Sequence, residues 1–149
     1  MTKRIRSLAP KAPNNGENLT EFAMALYQLV ETVRAEHEEA AASVGLTAAQ
    51  ASILAMLSEP KSMRELADRM GCDASNITGL VDRLEAKALV VRAADPADRR
   101  VKRISHTTAG KAAVQRFQRE LVRVSSLAEL APAAKSTLLA ALAQVRRPK

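Results

Sequence analysis

Ser75, Asn76, Thr78, Gly79 and Arg83 crowd one short run of the chain, "CDASNITGLVDRLEAKALVVRAADPADRR", Cys72 to Arg100. Hydroxyls, a carboxamide and a guanidinium offer hydrogen bonds but no nucleophile paired with a base. Beside a glycine they suit close approach to a surface that presents donors and acceptors of its own, as the major groove of duplex DNA does. The same run ends in Asp98, Arg99 and Arg100, with Arg92, Lys102 and Arg103 close by. Cations at a loop tip fit phosphates or the narrow minor groove. A polar helical face is, by itself, usually just a solvated face, so the inference rests on the combination.

The elements that must position these residues can be read from spacing. Ile77, Leu80, Val81 and Leu84 fall at i, i+3, i+4 and i+7, one inward face of a helix that Asp73-x-x-Asn76 would cap. Before it, Ser62-x-x-Glu65 opens a short helix closed by Gly71, and Thr47-x-x-Gln50 opens another through Leu57, ended by "SEP" with Pro60. The short helix, the tight turn at Gly71-Cys72 and the polar-faced helix form a helix-turn-helix pattern. "LVVRAA" and "VKRISH" are β-prone runs joined by "DPADRR", a hairpin with no core of its own. An amphipathic helix is expected from Asn18 to about Ala42. Another follows Thr107 through Val114, Phe117, Leu121 and Val124, and a last apolar run, Leu138 to Val145, follows Pro132.

Composition bounds the function. With 149 residues the chain is expected to be one ordinary domain or a domain with appendages. Apolar residues reach 47%, but only Phe22, Tyr27 and Phe117 are aromatic, and a core of Ala, Leu and Val buries little area per residue. A partner subunit is expected to supply the missing burial. The net charge of +7 is unevenly placed. Residues 17–42 hold six acidic side chains and one basic, residues 107–149 eight basic and two acidic, so those helices could neutralise each other. The dense group at 92–106, five basic and two acidic, keeps its weight as an argument for DNA.

With no apolar run near a bilayer span and no apolar stretch in the basic start, the chain is expected to be cytoplasmic, with no membrane partner. A single cysteine excludes an internal disulfide, and with only two isolated histidines it argues against a metal site. No paired carboxylates or phosphate-cradling glycine loop suggest an enzyme, and no cofactor is expected.

"GLTAAQASIL", "MRELADRMGCDASNITGLVDRLEAKALV" and "DPADRR" followed by "TTAG" together resemble the MarR family of winged helix-turn-helix regulators, over about Gly45 to Gly110. The resemblance implies a mainly α fold: a winged helix-turn-helix with a small β-hairpin wing, flanked by N- and C-terminal dimerisation helices. It divides the chain into a flexible basic arm (1–17), a helical dimerisation layer (18–45 and 107–149) and a DNA-binding domain (46–106). It further implies a homodimer that binds double-stranded DNA at an inverted repeat, acts as a repressor, and is released by a small phenolic or aromatic acid. The DNA-binding set becomes Ser62, Arg64, Ser75, Asn76, Thr78, Gly79, Arg83, Asp98, Arg99, Arg100 and Lys102, with Asp98 orienting an arginine of the wing. Tyr27, Arg34 and His37 are the candidates for an effector pocket. An architectural DNA-binding protein of the same fold, without an effector, is the alternative, separated by steep salt dependence with little discrimination between sites.

Three residues depart from the family pattern. Ala88 stands where glycine is common, a cost of about 1 kcal/mol if the position is left-handed. His106 replaces an apolar residue and is expected to be a satisfied structural histidine. Cys72 occupies a slot usually filled by valine, so a buried, inert thiol is expected rather than a redox sensor. His37, in "AEHEEA", is expected to be solvated.

Overall fold

The structure, a computed structural model, describes residues 17–145. The basic arm expected over residues 1–17 therefore lies, but for Glu17, outside the described residues. Helix α1 spans Glu17–Ser43, α2 Ala48–Met56, α3 Met63–Met70, α4 Ala74–Ala86, α5 Thr108–Val124 and α6 Pro132–Gln144. Three short strands, β1 (Lys61–Ser62), β2 (Val90–Ala94) and β3 (Lys102–His106), complete a mainly α architecture with one antiparallel sheet in the order β1-β3-β2. No helix among the described residues is long and apolar enough to cross a membrane.

The described residues fall into two units that divide between Thr32 and Val33. Over its described residues the first is helical, and Leu19, Phe22, Leu26, Tyr27 and Val30 are all exposed there.

The second unit carries the core and the winged helix-turn-helix. Both capping boxes form. Thr47 Oγ1 accepts from the Gln50 amide at 3.2 Å while Gln50 Oε1 accepts from the Thr47 amide at 3.1 Å. Ser62 and Glu65 repeat the arrangement at α3, and Gly71, at φ 61°, closes that helix in the left-handed conformation that favours glycine. The cap expected of Asp73 does not form: its backbone is extended at the N-cap of α4, but its side chain makes no capping hydrogen bond. Helix α4 is held by its apolar face instead, with Ile77, Val81 and Leu84 fully buried against Ile53, Leu54 and Leu66. Burying side chains of this size stabilises by about 1.5–3 kcal/mol each.

The hairpin is not the coreless appendage that its length suggests. Ile104 on the central strand β3 is fully buried and Val90 nearly so, and both belong to the same core as the helices. Strand β1 was not legible in the sequence. It pairs Lys61 with Ile104 and Ser62 with Arg103, tying the entry to α3 into the sheet.

Ala88 is the one non-glycine among the described residues with positive φ, at 55°. Its carbonyl accepts from Thr107 Oγ1 at 2.7 Å, and Thr107 in turn caps α5 by accepting from the Gly110 amide at 2.9 Å. His106 is the satisfied histidine expected: its Nε2 lies 2.8 Å from the Leu54 carbonyl. Along α5, Ala113 and Phe117 are buried, with Val114, Leu121 and Val124 packed at the core's edge. A 3-10 turn at Ser126–Glu129 leads to α6, whose Leu139, Leu142 and the following Val145 are exposed.

Candidate nucleic-acid interface

Helix α4 turns a polar face away from the core. Ser75, Asn76, Thr78 and Arg83 are exposed and Gly79 half-buried, as the spacing predicts. Ser75, Asn76, Gly79 and Arg83 share a groove of about 430 Å³ with Met70 and Cys72. A Cβ built on Gly79 would meet nothing within 4 Å, so no internal packing requires a glycine there. Thr78 is partly committed, since its Oγ1 donates to the Ala74 carbonyl at 2.9 Å, leaving it as an acceptor. Cys72 corrects the expectation of a buried thiol. It packs against the core yet is only half-buried and reaches the groove.

Residues 95–101 join β2 to β3 as a closed loop. The Asp95 amide donates to the Val101 carbonyl and the Val101 amide to the Asp98 carbonyl, both at 2.9 Å. Two aspartates stiffen the turn from within: Asp95 Oδ1 accepts from the Ala97 amide at 2.8 Å, and Asp98 Oδ1 from the Arg100 amide at 3.0 Å. Asp98 thus orders the backbone of the loop, not an arginine side chain, because its short carboxylate is taken up by an amide two residues on. The guanidinium held by a wing aspartate belongs to Arg103, bound to Asp95.

The basic cluster divides in two. Arg92 on β2 pairs with Asp82 and, at 3.4 Å, with Glu85 of α4. Arg103 on β3 pairs with Asp95 and with Glu65 of α3, each at 2.6 Å. Hydrogen bonding from Arg103, and from the Ala97 amide, holds the Asp95 carboxyl below the usual carboxylate range, and Asp95 raises Arg103 in return. Glu65 is likewise lowered, first by the Ser62 amide and hydroxyl and then by Arg103. These two arginines are spoken for, which sequence reading missed because their carboxylates come from distant segments. Arg99, Arg100 and Lys102 are exposed and form no ion pair among the described residues.

Of the remaining candidates, Arg64 is exposed in the first turn of α3, whereas Ser62 is half-buried with its amide and hydroxyl both bound to Glu65. Tyr27 is exposed in the first unit, and Arg34 is exposed in an i,i+4 pair with Glu38 at 3.3 Å. His37 is not the solvated residue expected. Its Nε2 lies 3.3 Å from the Ala48 carbonyl and 3.1 Å from Ser52 Oγ, and its ring stands edge-on to Phe117 at 5.0 Å.

Comparison with known proteins bears on the same segments. The sequence model of the MarR family matches residues 44–101. The HTH-type transcriptional repressor MdtR of Bacillus subtilis (strain 168) is 34% identical over 94 residues, 62% of this chain, which spans 61% of the length of that relative. The transcriptional repressor CouR bound to a 23-mer DNA duplex matches 92% of this chain and 100% of its own, at 30% identity and a TM-score of 0.72. CouR from Rhodococcus jostii RHA1 bound to p-coumaroyl-CoA matches 87% of this chain and 96% of its own, at 26% identity and a TM-score of 0.73.

Proposed function

This chain belongs to the MarR family, and from that premise we propose that it is a homodimeric, sequence-specific transcriptional repressor acting on an inverted-repeat operator. Helix α4 enters the major groove, with Ser75, Asn76, Thr78, Gly79 and Arg83 toward base edges and Arg64 near the backbone. Arg99, Arg100 and Lys102 of the wing take phosphates or the adjacent minor groove, with Asp98 holding their loop in shape. Ser62 serves α3 as its cap.

The observation that carries this reading is the sorting of the cluster at 92–106. Every arginine on the strands is neutralised by carboxylates of the chain, while the loop-tip arginines and Lys102 are exposed and pair with no carboxylate among the described residues. Exposed surface cations together with an exposed polar helix face are what a polyanion would use.

The exposed apolar side chains support the dimer. Phe22, Tyr27 and Val30 of the first unit and Leu139, Leu142 and Val145 of the second lie open to solvent, apolar side chains that a partner subunit would bury. On this reading residues 18–45 and 107–149 form the dimer layer and 46–106 the reading domain. A dimer sets two recognition helices about 34 Å apart, one DNA turn. A small aromatic acid, free or as a thioester, is proposed as the releasing effector, in keeping with the p-coumaroyl-CoA bound to CouR.

Selection of bound sites from random duplexes tests the reading. It should return an inverted repeat with half-sites about one turn apart. Recovery of no sequence preference, with steep salt dependence, would point to an architectural protein instead.

A further inference from the structure

Arg103 is placed where three elements meet. Its backbone pairs with Ser62 of β1 in the sheet. Its Nε donates to Asp95 Oδ2 at the start of the wing loop, and its Nη1 donates to Glu65 Oε2 in the first turn of α3. Glu65 is also the carboxylate that closes the α3 capping box, accepting from the Ser62 amide at 2.7 Å. Asp95 also shapes the wing turn through the Ala97 amide. One planar cation therefore links the residue that shapes the wing to the residue that starts the helix-turn-helix. The opposite strand has its counterpart in Arg92, held by Asp82 and Glu85 of α4.

We propose that Arg103 is a positioning residue, which locks the wing to the α3 N-terminus through Asp95 and Glu65 so that Arg99, Arg100 and Lys102 meet DNA at a fixed offset from α4. This rests on the function proposed above. A guanidinium whose Nε and Nη1 already donate to two carboxylates has its charge offset by them, which makes it a poorer ligand for phosphate than an unpaired cation. A lysine would keep the charge but lacks the rigid fork that reaches both partners at once.

Charge and position make opposite forecasts, which gives the test. Asp95→Asn removes a negative charge beside the DNA-facing loop, so electrostatics alone would tighten binding; Arg103→Lys preserves charge, so electrostatics alone would change nothing. Positioning requires both to weaken operator binding, by about tenfold each, with the double variant no worse than either single one. The salt slope should stay at its wild-type value, because no phosphate contact is lost. The full-length variants are titrated on the duplex selected by the wild type and on a scrambled duplex, with thermal unfolding to establish that each is folded. Hydrogen exchange at the amides of residues 97–101 is measured in the free protein and should quicken in both variants. Unchanged exchange in folded Asp95→Asn and Arg103→Lys proteins, or operator binding as tight as wild type, overturns the proposal. A wild-type protein that selects no sequence would defeat the function proposed above, while the exchange measurement would still decide the lock.

Discussion

A Cβ atom at Gly110 would stand 1.9 Å from the carbonyl oxygen of Leu89, a separation no side chain can occupy. The same carbonyl accepts from the Thr107 amide at 3.1 Å, so the start of α5 is seated directly on the chain entering β2. Gly110→Ala must push that junction apart and should destabilise the fold by about 1–3 kcal/mol, the usual cost of overpacking. Urea unfolding measures it, and a variant as stable as wild type would refute the close seating.

Ala88 adopts φ 55°, left-handed for a residue with a Cβ. Its side chain is exposed, so nothing is lost by removing it. Ala88→Gly should raise stability by about 1 kcal/mol in the same measurement.

Gly79 presents the reverse case. It lies inside α4, where glycine costs roughly 0.5–1 kcal/mol relative to alanine, and the space beside it is empty. Gly79→Ala should therefore stabilise the free protein by about that amount while weakening operator binding, because the methyl group enters the gap that the groove edge would fill. Stability and affinity moving together would contradict this.

The Asp95 carboxyl is held below its ordinary range by Arg103 and the Ala97 amide, and that of Glu65 by the Ser62 amide and hydroxyl and then by Arg103. A carboxylate whose folded-state pKa is depressed stabilises the fold above its unfolded value and loses that contribution as pH falls through the folded one. Stability should be level near neutrality and decline below about pH 4, the unfolded carboxylate range. The Asp95→Asn variant should show a shallower decline, read from thermal unfolding across the acid range.

Much of the candidate interface was legible because it depends on local rules. Capping boxes at Thr47 and Ser62, the left-handed Gly71, the apolar face of α4 and the turn at Asp95-Pro96 each declare themselves within a few residues. What was not legible joins distant segments. Two residues of β1 carry no strand signal, and their pairing with β3 follows from packing. Asp82 and Arg92, or Glu65 and Arg103, meet only once the hairpin folds back on the helices, so a basic cluster in sequence divided in space into braces and exposed cations. His37 sits among acidic neighbours in sequence but faces α2 and Phe117 in the fold.

The division of labour between α4 and the wing is tested most directly by salt-dependent titration of Asn76→Ala and Arg100→Ala proteins on the selected operator and on a scrambled duplex. Arg100→Ala should weaken binding to both and lower the slope of log affinity against log salt by about 1 unit, the loss of one phosphate-neutralising cation. Asn76→Ala should cost about 1–3 kcal/mol on the operator alone and leave the slope as it was, the loss of a neutral contact to a base edge. Equal losses on both duplexes for Asn76→Ala, or an unchanged slope for Arg100→Ala, would contradict reading by the helix and clamping by the wing.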